Sequence, residues 1–423
     1  MDISAKKISA YNLDYLYIFI LILSVISIPF FRFELNLMGG RFFLSLPVIF
    51  TLFYFYIKVI EILAVDKKPQ FQTYLSLILF GFLIWSFISL LWSDYSNWSF
   101  LLELAFYILF AIFIINFCKL NRITAHKIHE LLLIVVFMMV LYGLYRYLTG
   151  ASPWFEFTDH YETELGTRNS DIFIVVTALP VVFSGLLIFY KGTLKRLLVF
   201  IAASSYVLAI LLSLSRGQIV TSVLILGALS GLYVILMRVK YTTLITTITL
   251  GLLLTAGIWL CFAHFFADTH DILINRFDKV SDDERIEIAS FALSVAKEHP
   301  FTGIGLDNLQ YIMPQMVDAH NAYLNVLSEL GIVGFVLFCL ILLYPAYRYV
   351  KLYKKIKTYP DIDVRGMYIQ GFGFLIALII SSVFNTFYSF IYFWIIYVIS
   401  CCDLIYLDSA ASSRFVRTRT SRI

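Results

Sequence analysis

Long apolar runs separated by short polar breaks follow one another along most of this chain of 423 residues. The runs show neither the period of two that half-buried strands have nor the period of 3.6 that amphipathic helices have. A helix needs about 20 apolar residues to cross a bilayer, and the runs have about this length. The pattern predicts twelve spans, at 14–33, 40–60, 72–93, 99–118, 129–149, 170–190, 195–214, 218–237, 242–264, 320–348, 366–385 and 388–407.

The composition agrees with a membrane protein. Hydrophobic residues make up 61% of the chain and charged residues only 14%, whereas a soluble domain has about 25% charged residues. All five cysteines fall within or beside apolar runs, so we expect no disulfide framework. The first run is about 20 residues long, which favours a retained span over a signal peptide. The predicted fold class is therefore an all-α polytopic membrane protein of about twelve transmembrane helices.

The distribution of positive charge predicts the orientation. If both termini are cytoplasmic, 23 of the 32 Lys and Arg residues fall in cytoplasmic segments, as the positive-inside rule requires. An odd number of spans would destroy this alternation. The tail at 409–423 is polar and basic, which suits an anionic inner leaflet, and we expect it to be disordered.

Two outer segments are longer than a turn needs to be. Residues 150–169 are polar and aromatic, and residues 265–319 are long enough for a small helical subdomain. The second segment separates a bundle of about nine spans at 1–264 from a bundle of about three spans at 320–408.

The outer segment at 265–319 predicts one helix. Ser281-Asp282-Asp283-Glu284 is typical of an N-cap with a capping-box glutamate. A helix of about 15 residues follows and ends near His299-Pro300. Its apolar face, which we expect to pack on the bundle or to lie in the bilayer interface, carries Ile288, Phe291, Ala292 and Val295.

Arg216 lies between the seventh and eighth predicted spans, among the small residues Ser213, Ser215 and Gly217. A lone arginine at this level is often an interfacial anchor whose side chain snorkels toward water. However, the outer turns otherwise avoid positive charge, and an unobstructed guanidinium suits an anion such as phosphate. Both interpretations stay open from the residues alone.

Two more outer arginines are candidates for the same task. Arg285 falls in the first turn of the loop helix, where the positive helix end disfavours cations. It either forms an ion pair with Asp282 or Glu287 or binds a ligand. Arg168 ends the acidic outer segment immediately before a span, where it is either an interfacial anchor or a third cation.

His320 begins the tenth predicted span at the outer surface. At 100° per residue, Leu324, Leu327, Gly331 and Gly334 share its helix face. Two glycines on one face would allow a neighbouring helix to approach closely and would fix the top of the helix. The histidine is then either a packing residue at a helix end or a general base.

The remaining polar residues do not form other familiar sites. Asp282 and Asp283 resemble an acidic metal motif, but an N-cap explains them. The histidines show no metal-ligand spacing, and the chain has no nucleophile elbow and no Walker loop. We therefore expect no metal and no cofactor, and the cytoplasmic segments are too short for a nucleotide-binding domain. A donor substrate must arrive already activated, on a lipid.

A longer motif joins the histidine to the glycines: His320-Asn321, nine residues, and then Gly331-Ile332-Val333-Gly334. It fits the pattern H-[NSQ]-x9-G-x-x-[GTY] of the bacterial O-antigen ligases, which share a superfamily with the O-antigen polymerases. The SLSRGQ stretch around Arg216 resembles the family's SRG turn. Arg285, ahead of the HP-x-x-G-x-G stretch at 299–305, matches the family's loop arginine. These motifs cover about residues 213–335.

The resemblance implies a fold similar to the C-type membrane glycosyltransferases. It also implies metal-independent, inverting transfer of a polysaccharide from undecaprenyl diphosphate to a sugar hydroxyl of lipid A–core, in lipopolysaccharide biosynthesis. The reaction would take place at the periplasmic face of the bacterial inner membrane, with membrane lipids but no nucleic acid as partners. His320 would act on the acceptor, and Arg216, Arg285 and Arg168 would hold the diphosphate. The implied supporting residues are Asn321, Gly331 and Gly334.

Three alternatives compete with this interpretation. An O-antigen polymerase would use the same chemistry with a glycan as the acceptor. A transporter or lipid-glycan flippase is compatible with twelve spans, and Glu103 and Glu329 are the intramembrane acids that would suit a proton pathway. A non-catalytic assembly partner of an envelope enzyme is the third.

Overall fold

A computed structural model describes residues 32–37, 40–45, 73–95, 97–117, 121–150, 166–239, 283–312, 319–386, 388 and 391–420, and scattered positions between 249 and 274. The chain divides into two compact units. Unit 1 comprises Met1–Ile128, Glu284–Tyr347 and Asn385–Cys402, and unit 2 comprises His129–Asp283, Arg348–Phe384 and Asp403–Ile423.

Helices dominate the described residues, as the apolar runs predict. The first six are α1 (Thr73–Ser89), α2 (Trp98–Phe117), α3 (Arg122–Leu148), α4 (Gly166–Ser184), α5 (Thr193–Leu212) and α6 (Arg216–Met237). The other five are α7 (Asp283–Glu298), α8 (Leu309–Ile312), α9 (Ala322–Lys357), α10 (Ile362–Phe384) and α11 (Ile391–Thr420). A π-helical turn at Gly185–Phe189 follows α4.

Eight of these helices are long and apolar enough to cross a membrane, and α1 is a shorter apolar helix. Nine of the twelve predicted spans therefore coincide with helices in the part of the chain that the structure describes. The prediction of an all-α polytopic membrane protein is confirmed. Most of the predicted span at 242–264, most of the span at 14–33 and residues 46–60 of the second span lie outside the described residues.

A short antiparallel pair differs from the prediction. Strand β1 (Arg32–Leu37) pairs with β2 (Gly40–Ser45), with Arg32 opposite Ser45. The sequence analysis placed these residues at the end of the first span and the start of the second. The stretch Arg-Phe-Glu-Leu-Asn-Leu alternates polar and apolar residues, a period of two that favours a strand.

The C-terminal tail also differs from the prediction. Helix α11 continues to Thr420, although we expected disorder from residue 409. The segment contains Ala and Arg, which favour helices, and neither Gly nor Pro interrupts it after residue 409.

Unit 2 is built around α10, which packs against both α4 and α6. Gly373 on α10 makes this packing possible, because a Cβ there would come within 3.0 Å of Pro180 and 2.6 Å of Leu229. At the start of α6, a Cβ on Gly217 would lie 3.1 Å from the Phe384 side chain. The two glycines thus bring α4, α6 and α10 into close contact.

A histidine and a carboxyl group are buried together in the same unit. The Nε2 of His129 on α3 lies 3.0 Å from Oδ2 of Asp403 on α11, and the two side chains are 1% and 0% exposed. The ring of His129 also lies 5.6 Å from that of Phe374. Because a buried polar group needs a hydrogen-bond partner, this contact holds α3 against α11.

Candidate functional site

Arg216 is the first residue of α6. The sequence analysis placed it in the turn between the seventh and eighth predicted spans, so the helix begins slightly earlier than predicted. The preceding turn is held by its serines: Ser213 Oγ donates to Ile210 O and accepts from the N–H of Ser215. Leu214 lies in the left-handed region with φ 54°, which costs about 1–2 kcal/mol for an L-residue. Such strain is often found at functional sites.

The backbone of Arg168 lies at the same end of unit 2 as Arg216. Arg168 precedes Pro180 by twelve residues on α4, and Gly217 precedes Leu229 by twelve residues on α6. Pro180 and Leu229 both lie against Gly373. At 1.5 Å per residue, both arginines therefore belong to a level about 18 Å from that contact. The side chain of Arg168 lies outside the described residues.

Gln218 is a residue that sequence reasoning missed. It follows Arg216 by two positions and is 0% exposed, and neither its Nε2 nor its Oε1 has a hydrogen-bond partner among the described residues. A buried unpaired polar group costs about 1–3 kcal/mol. Nothing in a single sequence distinguishes this glutamine from one that faces lipid.

In unit 1, the predicted loop helix is present as α7 at Asp283–Glu298. The predicted apolar face packs inward: Ile288, Ala292 and Val295 form one buried cluster with Leu309 and Ala319. This packing, rather than the bilayer interface, therefore covers the apolar face. Because Ala319 immediately precedes His320, the cluster holds the helix that carries Arg285 against the segment that carries the histidine. Ser281, Asp282 and the side chain of Arg285 lie outside the described residues.

The segment after α7 forms backbone hydrogen bonds with residues at a break in α9. Gly331 has φ 63° and ψ −167° inside this helix, so its helical hydrogen bonds are interrupted there. The carbonyls of Ser328 and Glu329 accept from the N–H groups of Ile304 and Gly305, at 3.1 and 2.8 Å. On the other side of the break, Ile332 donates to Pro300 O at 2.9 Å.

The two glycine motifs are therefore two sides of one contact. A Cβ on Gly331 would meet the Phe301 carbonyl and lie 2.7 Å from Gly303 N. A Cβ on Gly303 would meet the Glu329 carbonyl and lie 2.6 Å from Gly331 N. The backbones of the HP-x-x-G-x-G stretch and of the histidine motif touch at this point. Both Gly303 and Gly331 must therefore be glycine, because a side chain on either would push the two backbones apart.

The predicted helical stripe from His320 to Gly334 was wrong. Helix α9 begins at Ala322, and His320 has φ 46°, so the histidine precedes the helix. The break at Gly331 ends any regular stripe, and Gly331 meets a loop rather than a neighbouring helix. Gly334 is needed for a local reason, because a Cβ there would collide with the Leu330 side chain.

Asn321 is the N-cap of α9. Its Oδ1 accepts from the N–H groups of Tyr323 and Leu324 at 3.0 and 3.1 Å, which satisfies two donors that a helix end leaves without partners. The Ala322 N–H donates to Asn385 O at 3.2 Å. His320 is half-buried at this capped start. In the His-Asn pair of the motif, the histidine is thus the candidate reactive residue, and the asparagine caps the helix that follows it.

No group of three His, Cys, Asp or Glu side chains among the described residues is arranged to hold a metal ion. Asp282 and the side chain of Asp283, the acidic pair of the sequence analysis, lie outside those residues.

Residues 179–339 match the family model described as O-Antigen ligase. The matched segment contains the SLSRGQ turn, α7 and the interlocked glycine motifs, and it begins after Arg168. A search of curated proteins finds no match. Over residues 179–339, the family match supports the superfamily that the histidine motif predicted, and the apolar helices identify a membrane protein. Such a family implies a glycosyltransferase-type enzyme of the ligase or polymerase kind.

Proposed function

We propose that this chain, taken as a member of the O-antigen ligase superfamily, is an O-antigen ligase. It transfers a polysaccharide from undecaprenyl diphosphate to a sugar hydroxyl of lipid A–core at the periplasmic face of the inner membrane. The observation that carries the proposal is the histidine motif within the family match. Its histidine precedes a capped helix, and its glycine fits the HP-x-x-G-x-G segment.

In the proposed reaction, the acceptor hydroxyl attacks the anomeric carbon of the donor from the face opposite the diphosphate. The new bond joins the acceptor oxygen to that carbon, the bond to the diphosphate oxygen breaks, and the configuration inverts. His320 orients the hydroxyl or accepts its proton as a general base. The diphosphate leaves on its lipid with the electron pair of the broken bond.

Arg216 holds the leaving diphosphate. It is the first residue of α6, where the free N–H groups and positive end of a helix already favour an anion. A guanidinium adds a full charge and a fork of donors that fits phosphate oxygens. Arg285, and Arg168 as a weaker third, would share the charge that grows on the diphosphate. Preorganised charges of this kind stabilise a transition state without a metal ion.

The basic residues support the orientation of the proposal. With both termini cytoplasmic, the positive-inside rule assigns the starts of α4, α6 and α9 to the periplasmic side, and the proposal takes Arg168, Arg216 and His320 to face that side. A lipid-linked donor reaches such a site from within the bilayer.

The test is glycan transfer by the purified protein in detergent or nanodiscs. The donor is an undecaprenyl diphosphate glycan, and the acceptor is either lipid A–core or a second lipid-linked glycan. We expect capped lipid A–core as the product. Elongated glycan on the carrier lipid instead would identify a polymerase, and no transfer to either acceptor would contradict both assignments.

Two variants test the residue roles. We expect Arg216→Ala and His320→Ala each to abolish detectable transfer while the protein still inserts, since the loss of one such contact commonly costs about 10²–10³ in rate. Full activity in either purified variant would remove that residue from the mechanism.

A further inference from the structure

A buried carboxylate lies at the break in α9. Glu329 is 2% exposed, and a charge so buried needs donors around it. Two donors are the backbone N–H groups of Asp307 and Leu309, at 3.0 and 3.4 Å. Two more are Asn325 Nδ2 and the Tyr388 hydroxyl, each at 3.4 Å. Glu329 therefore joins the loop after α7 to the outer turns of α9.

Asn325 extends this network toward the histidine. It precedes Glu329 by one helical turn and is 6% exposed. Its Nδ2 faces the carboxylate, which can only accept hydrogen bonds when it is ionised. This fixes the amide so that Oδ1 points the other way, where it accepts from the N–H of Ala319 at 3.3 Å. Ala319, which donates this bond, is the residue before His320.

The backbone at His320 needs such support. Its φ of 46° is left-handed, a region that few residues other than glycine occupy and that the surroundings must hold in place. Asn325 holds the peptide on one side of His320, and the Asn321 cap holds the helix start on the other. Both anchors fix the direction in which the imidazole leaves the backbone.

We propose that Glu329 and Asn325 are positioning residues that fix the backbone of His320 for the transfer reaction. The proposal rests on the proposed function. Glu329 fixes the orientation of the Asn325 amide, and this amide fixes the position of the Ala319 N–H. The backbone at Ala319 in turn fixes the direction of the His320 imidazole. A displacement of about 1 Å at a reacting group can reduce a rate by about 10². This positioning role accounts for the presence of a buried carboxylate at Glu329, so no proton pathway is needed to explain it.

The test compares wild type, Glu329→Gln and Asn325→Leu with the matched control Ser328→Ala, all as purified full chains. Ser328 is also buried on α9, and within the described part of the chain its hydroxyl bonds only to carbonyls of its own helix, those of Leu324 and Asn325. The first measurement is hydrogen–deuterium exchange of the peptide that contains Ala319 and His320. The second is kcat and KM for glycan transfer, with the melting temperature as a check on folding.

In both test variants we expect exchange at Ala319 to accelerate about tenfold, as for the loss of one hydrogen bond. We expect kcat to fall about 10–100-fold, with KM for the donor within about twofold of wild type. Unchanged exchange, an unchanged kcat, or an equal loss in Ser328→Ala would overturn the proposal. If wild type transfers no glycan, the proposed function fails, while the exchange measurement still shows whether the network holds this peptide.

Discussion

Replacing Gly331 by alanine tests the interlocked glycine contact. The new Cβ would meet the Phe301 carbonyl and lie 2.7 Å from Gly303 N, so the two segments would have to separate. This separation would weaken or break the three hydrogen bonds that join the segments, which are donated by Ile304, Gly305 and Ile332. Each contributes about 0.5–1.5 kcal/mol net. The strain of an alanine in this conformation adds about 1–3 kcal/mol, so the total loss is about 3–7 kcal/mol.

The assay is thermal unfolding of the purified variant in detergent. At about 2 °C per kcal/mol for a large domain, we expect a melting temperature at least about 5 °C below wild type. Gly227→Ala on α6 is the matched control, because its Cβ would meet nothing within 4 Å and alanine favours a helix by up to about 1 kcal/mol. A Gly331→Ala protein as stable as this control would refute the contact and the break in α9.

Three further substitutions test separate parts of the structure. Arg216→Ala should lose about 10²–10³ in transfer rate, whereas Arg238→Ala, at the opposite end of the same helix, should keep the wild-type rate; equal losses would point to a general charge effect. Asn321→Ala should lose about 1 kcal/mol of stability in thermal unfolding, and Asn321→Ser should retain it; an alanine variant as stable as wild type would contradict the cap. Asp403→Ala should lose about 1–3 kcal/mol, because it leaves the His129 imidazole buried without its hydrogen-bond partner; an unchanged melting temperature would contradict the buried pair.

The sequence predicted features that depend on nearby residues. The loop helix was predicted from 281 to about 299 and is found at Asp283–Glu298, with the predicted apolar face buried. Capping signals and helical periodicity are local, so one sequence contains them. The same holds for the spans, because length and hydropathy alone define them.

The break at Gly331 could not be predicted in this way. Two glycines three residues apart fit a helix-packing motif equally well, whereas Gly331 in fact contacts Phe301 and Gly303, about thirty residues earlier. The role of Glu329 was missed for the same reason, since its donors come from the segment at 307–309 and from Tyr388. Strand β1 at Arg32–Leu37 was predictable from its period of two, but the apolar runs on either side dominated the interpretation.

The most direct test of the central claim is transfer by the purified protein from an undecaprenyl diphosphate glycan to lipid A–core, with and without EDTA. The account predicts capped lipid A–core at the same rate in both conditions, and none from His320→Ala. A strict requirement for a divalent ion would contradict the role of the arginines and would direct attention to Asp282 and Asp283. Equal transfer by His320→Ala would contradict the role of the histidine.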